Sequence, residues 1–144
     1  DKGPAIAALY AMACVRALGV PLKRNVRLIL GTDTPSGYGI FPHGVWEVMA
    51  LLCGYCGLEP EIAVAAGSGN TAACYGITSN TIKTGYAADI ILCDAPLGSA
   101  YETAADSLKA GVVPGVSAVF MDGEILVSGD KVNTAPAKRA AVRL

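Results

Sequence analysis

The sequence is short of charge and of histidine. Only 16% of its 144 residues are charged, eleven basic against twelve acidic for a net charge of -1, and His43 is its one histidine. It has no block of like charge, so nucleic acid and anionic membrane are excluded as expected partners, because both need clustered cations. No apolar run approaches the roughly 18 residues of a membrane-spanning helix. The first residues, Asp1-Lys2-Gly3-Pro4, show neither an initiator Met nor a signal-peptide layout. That is expected of a processed chain or of one that starts inside a longer reading frame. Repeats and low-complexity tracts are absent as well.

Cysteine is sparse and odd in number. Cys14, Cys53, Cys56, Cys74 and Cys93 all sit in apolar stretches, which points to free thiols in a reducing, cytoplasmic setting. Cys53-Gly54-Tyr55-Cys56 has CxxC spacing but lies within a helical pattern. Zinc would need two further ligands, and thioredoxin-like chemistry a preceding strand.

Apolar residues are plentiful. They make up 53% of the chain, with a mean hydropathy of +0.46. A small domain has a high surface-to-volume ratio and needs more polar covering, not less. The surplus implies surface covered by something else: a remainder of the protein, a partner subunit or, as we expect, further copies in a homo-oligomer.

The pattern of residues predicts a single α/β domain over 1–144. Pro4 followed by an Ala- and Leu-rich run opens a helix with Ile6, Leu9, Tyr10 and Ala13 on one face, stopped at Gly19. Val26 to Leu30 reads as a nearly continuous apolar strand of the kind found inside parallel sheets. A Gly/Pro/Ser/Thr-rich loop spans Gly31 to Pro42, and a helix follows through Val45, Trp46, Met49, Leu52 and Cys53. Pro60 opens a short helix, and Asn70 is a candidate N-cap for another over Thr71 to Tyr75. Asp89 to Asp94 reads as a buried strand and Tyr101 to Ala110 as a helix. Asp122-Gly123 is a two-residue hairpin turn between Val116–Met121 and Glu124–Val127. Thr134 and Pro136 signal a short basic C-terminal helix. The expected fold is a small mixed sheet covered by helices, with a parallel part early and a C-terminal β-hairpin.

Specific segments also carry resemblances. Gly31-Thr32-Asp33-Thr34-Pro35-Ser36-Gly37, Pro60-Glu61-Ile62-Ala63 and Gly69-Asn70-Thr71-Ala72 are similar to stretches of the amidohydrolase superfamily. So are Gly85 to Ile91, Asp94-Ala95-Pro96-Leu97-Gly98-Ser99 and Asn133 to Arg139. Together they resemble the C-terminal portion of an enamidase-type enzyme over about residues 31–144. Residues 1–33 instead resemble the zinc dipeptidase and aminoacylase group, through Asp1-Lys2-Gly3-Pro4, Gly19 to Arg24 and Val26 to Asp33. Both families carry a Gly-Thr-Asp-x-x-Ser-Gly loop, so the resemblance implies a chimera joined near Asp33.

The resemblance implies a partial (β/α) barrel-derived architecture that cannot close, because a barrel needs about eight strands. It also implies zinc or another divalent metal in the parent enzymes, which activates water for attack on a carbon–nitrogen bond, here of a small cyclic amide. Asp33 matches the final-strand aspartate that serves as metal ligand and proton acceptor. Asp1 matches the bridging aspartate of the dipeptidases, whose Glu-Glu pair is replaced here by Thr34-Pro35. His43 is the remaining candidate metal ligand. Each has a plainer reading: Asp33 bonding its own turn, Asp1 favoured by the following helix N-terminus, His43 entering a helix. Trp46, Met49 and Leu52 read as packing, Ser36 lacks a local histidine base, and Lys138, Arg139 and Arg143 read as a solvated helix face. The ligand set is therefore incomplete, and both a metal-bound chain and one without metal are left open. Three functions remain open: an inactive portion of a hydrolase, a hydrolase completed by oligomerisation, and a self-associating module without catalysis.

Overall fold

The computed structural model describes residues 2–24, 26, 29–31, 43–128 and 136–141. Helix α1 spans Lys2–Ala17 and ends where Gly19 takes a left-handed φ of 63°, a conformation that costs glycine little. Helix α2 (Gly44–Cys56) is closed by Gly57 at φ 66°, and α3 (Pro60–Gly67) has proline in its first turn, where the missing N–H is no loss. Helix α4 covers Gly69–Tyr75 and α5 Ala104–Lys109. Three strands complete the described chain: β1 (Ile90–Asp94), β2 (Gly115–Met121) and β3 (Glu124–Ser128). No described helix is long and apolar enough to cross a membrane.

The core is small and helical. Met49, Ala50 and Cys53 of α2 meet Ala63 of α3 and Leu108 of α5, with Leu30, Trp46, Leu58 and Val113 packed around them. Trp46 and Met49 thus pack as expected. Two glycines let α2 and the end of α5 approach closely. A Cβ on Gly54 would lie 2.6 Å from the Gly111 Cα, which no backbone tolerates. Thr103 fixes the start of α5 with a reciprocal capping box. Its Oγ1 accepts from the Asp106 N–H at 3.1 Å, and the Asp106 carboxylate accepts from the Thr103 N–H at 3.1 Å.

The sheet runs β1-β2-β3 and both pairings are antiparallel. The hairpin turn falls at Asp122-Gly123 as expected, with φ of 50° and 82°, the positive values that a tight two-residue turn requires.

Several expectations are corrected. The described sheet is antiparallel, not mixed, with one parallel bridge between Val116 and Pro136. Val26, Ile29 and Leu30 belong to no strand; residues 27 and 28 lie outside the described region. A strand needs a paired neighbour, and Leu30 finds a helix instead: its N–H donates to the Ala66 carbonyl at 3.4 Å. Strand β1 is not buried on both faces, because Ile91 and Leu92 are 49% and 41% exposed. Neighbouring side chains point to opposite faces of a strand, so both faces are partly open. Asn70 lies inside α4, whose cap position is Ser68.

The basic terminal helix is absent from residues 136–141, while Thr134 and Arg143 lie outside the description. Pro136 and Ala137 instead form bridges to Val116 and Pro96. The Pro136 carbonyl accepts from the Leu97 N–H at 2.7 Å, and the Lys138 N–H donates to the Ala95 carbonyl at 2.8 Å. Long-range bonds to extended backbone outweigh one short helical turn, whose nucleation is unfavourable.

Candidate functional site

Asp33 and Asp1, the two carboxylates singled out as metal ligands, lie outside the described residues, as does Ser36. His43 is described. It occupies the cap position of α2 with φ -107° and ψ 7°, and its carbonyl accepts from the Glu47 N–H at 2.9 Å. Its side chain makes no capping bond. The ring is half-buried, and its Nε2 is buried with no hydrogen-bond partner among the described residues. His43 therefore offers one uncommitted nitrogen where the Gly-rich segment enters α2.

A catalytic zinc usually takes three protein ligands. Among the described residues, no three His, Cys, Asp or Glu side chains come together in a way that could hold a metal ion. A single imidazole nitrogen does not fit that requirement.

The thiols do not supply a site either. All five cysteines are free; Cys53 is buried in the core while Cys56 is exposed. Burial, and then the negative charges of Glu59 and Glu61, push the Cys53 thiol up. Burial alone pushes Cys93 up to about 11. A thiol in that state is a poor nucleophile and a poor metal ligand, since both roles need the thiolate.

One ionic site was missed from sequence. Asp94, at the end of β1, is 6% exposed, and it holds Arg139 through two side-chain bonds. Arg139 Nε donates to Oδ2 at 2.6 Å and Nη2 to Oδ1 at 2.7 Å. The Arg139 backbone N–H adds a third bond to Oδ2 at 3.2 Å. Hydrogen bonding to Arg139 holds the Asp94 carboxyl well below the usual carboxylate range, and Asp94 in turn raises the guanidinium pKa. Arg139 thus lies on no helix, although its side chain remains 73% exposed as expected. The only signal for this pair was that Asp94 and Arg139 each fell within an enamidase-like segment; their 45-residue separation hid the contact.

A groove of about 750 Å³ lies between the α2–α3 layer and β1, lined by Trp46, Ser68, Lys83, Tyr86, Asp89 and Ile91 among others. Lys83 Nζ sits 5.4 Å from the centre of the Tyr86 ring, within cation–π range. The groove contains no nucleophile paired with a base.

Comparisons with known proteins agree with the fold. The model of the amidohydrolase family matches residues 14–126. Enamidase of Eubacterium barkeri is 44% identical over 115 residues, covering 80% of this chain and 30% of that protein. The crystal structure of enamidase superposes with a TM-score of 0.72 at 43% identity, covering 78% of this chain and 29% of that one. A shorter stretch of 43 residues is 44% identical to the putative dipeptidase YtjP of Bacillus subtilis, covering 30% of this chain and 9% of that protein. The chain therefore spans about 30% of the length of the enamidase it matches.

Proposed function

The chain belongs to the amidohydrolase family, and on that footing we propose that it is a portion of a carbon–nitrogen hydrolase of the enamidase kind that does not catalyse by itself. The observation that carries this reading is the count of donor groups. The whole sequence holds one histidine, whereas a catalytic zinc usually takes three protein ligands. Asp33 would be the surviving ligand and proton acceptor, with His43 as its nearest imidazole in sequence. The substrate of the complete enzyme would be a small cyclic amide, cleaved by water on a divalent metal, with zinc the first choice.

The finer reading is that the matched portion is C-terminal in such an enzyme and that the first residues come from a dipeptidase-like source. The dipeptidase match supports the second source. The family match begins at residue 14, so it runs across the expected joint near Asp33. Amplification across codons 1–40 from source DNA tests it: one uninterrupted genomic frame would remove the chimera.

A second reading is favoured by the surface. The accessible area is 10426 Å², where a compact monomer of this mass has about 6900 Å². Such an excess suits a self-associating module, in which copies cover one another.

The hydrolase reading is tested by metal analysis of purified protein grown with zinc, beside an assay for cyclic amide hydrolysis. We expect neither stoichiometric metal nor turnover. One zinc per chain, lost in Asp33→Ala and accompanied by turnover, would overturn the inactive reading and favour an active hydrolase.

A further inference from the structure

Charge divides the described chain in two. Residues 2–24 carry four cations, Lys2, Arg16, Lys23 and Arg24, and no acid. Residues 43–128, with the segment 136–141 that packs on them, carry nine acids against four cations. The cationic part is also the uncovered part. From residue 7 to 24 every side chain is exposed except the half-buried Val15. Between α1 and the segment that follows it lies a groove of about 1220 Å³, lined by Met12, Val15, Arg16, Val20, Leu22 and Arg24 among others. Val20 is 49% exposed and Leu22 59%. The groove is apolar inside and basic at its rim.

Helix α2 presents the complementary surface. Met49, Ala50 and Cys53 face the core. On the other side Glu47, Leu51 and Tyr55 recur at intervals of four, which places them on one exposed stripe. Leu51 is 53% exposed and Tyr55 83%. Glu47 lies in the first turn of α2, and Arg16 in the last turn of α1. In an antiparallel pairing those two turns meet, so each charge faces its opposite and also suits its own helix end. The same pairing sets Leu51 against Met12 and Tyr55 toward Leu9.

We propose that the groove beside α1 receives the Glu47–Leu51–Tyr55 stripe of a second copy, and that the exchange is reciprocal about a two-fold axis. This rests on the self-associating reading and names its surface. A two-fold arrangement repeats the contact. The accessible area beyond that of a compact monomer, about 3500 Å², exceeds the roughly 800 Å² per partner of a standard interface. An anionic membrane would also attract the four cations, but it offers nothing to the acidic, apolar face of α2.

The test is sedimentation velocity on the full chain over a dilution series, for the unaltered protein and for Arg16→Glu, Glu47→Arg and the double variant. All changed positions are exposed, and circular dichroism checks that the helices persist. We expect a dimer whose dissociation constant rises about tenfold in each single variant, since the repulsion enters twice, and returns close to its starting value in the double variant. Leu51→Asp should abolish the dimer. A strict monomer at every concentration overturns both the proposal and the self-associating reading. A dimer indifferent to all four substituted forms overturns the proposal alone, whereas a monomer that sediments only with phosphatidylserine vesicles overturns both.

Discussion

A carboxylate with little access to water needs its charge answered, and Asp94 has it answered by a fork of guanidinium bonds plus one backbone N–H. Bidentate geometry of this kind is stronger and more directional than a lysine pair. Its effect is to fix the segment 136–141 against the end of β1, where Ser117 Oγ also donates to the Arg139 carbonyl at 3.1 Å. Because the Asp94 pKa is depressed in the folded chain, its contribution is complete above the ordinary carboxylate pKa of about 4 and is lost as pH falls toward the folded value. Asp94→Asn should therefore lower the melting temperature at pH 7. The gap to the unaltered protein should close progressively below about pH 4. Thermal melts by circular dichroism across that range decide it, and a gap that is constant with pH would show that the ion pair contributes no net stability.

At the scale of elements, two short-range devices differ in what they protect. The Thr103 capping box satisfies donors at the start of α5, and Thr103→Ala should cost about 1 kcal/mol. Gly54 acts across space. Alanine would favour the helix by about 1 kcal/mol, yet its Cβ would meet the Gly111 backbone at 2.6 and 2.7 Å. Overpacking against backbone outweighs propensity, so Gly54→Ala should destabilise by about 3 kcal/mol. Urea denaturation of both variants ranks them, and a Gly54→Ala protein as stable as the original would remove the close approach of α2 to the α5 end. Helices α2 to α5 and the hairpin were legible in sequence because apolar periodicity, prolines and the Asp122-Gly123 turn are local signals. The Val26–Leu30 strand and the terminal helix were not, because pairing partners decide whether an apolar or basic run becomes a strand, a bridge or a helix.

For the molecule as a whole, a small helical core and a three-stranded sheet leave much apolar surface open. Leu9, Tyr10 and Leu18 in the N-terminal part, and Ile125 and Leu126 on β3, are all more than 45% exposed. The five thiols report on that openness, since they are spread over α1, α2, α4 and β1. Cys14, Cys56 and Cys74 are exposed, whereas Cys53 is buried and Cys93 half-buried. At pH 8 a disulfide reagent should modify three thiols quickly. Cys93 should react about a hundredfold more slowly than an ordinary thiol, because a pKa of about 11 leaves so little thiolate. Peptide mapping after timed labelling checks this, and rapid labelling of Cys53 or Cys93 would mean that the core opens.

By itself, the sequence determined the family likeness, helices α1 to α5, the hairpin turn and the shortage of histidine that limits any metal site. These depend on residue identity and on neighbours a few positions away. Only the tertiary structure decided that the described sheet is antiparallel, that Gly54 admits Gly111, and that Asp94 holds Arg139. Each joins residues far apart in the chain, and no local pattern encodes which distant group will arrive.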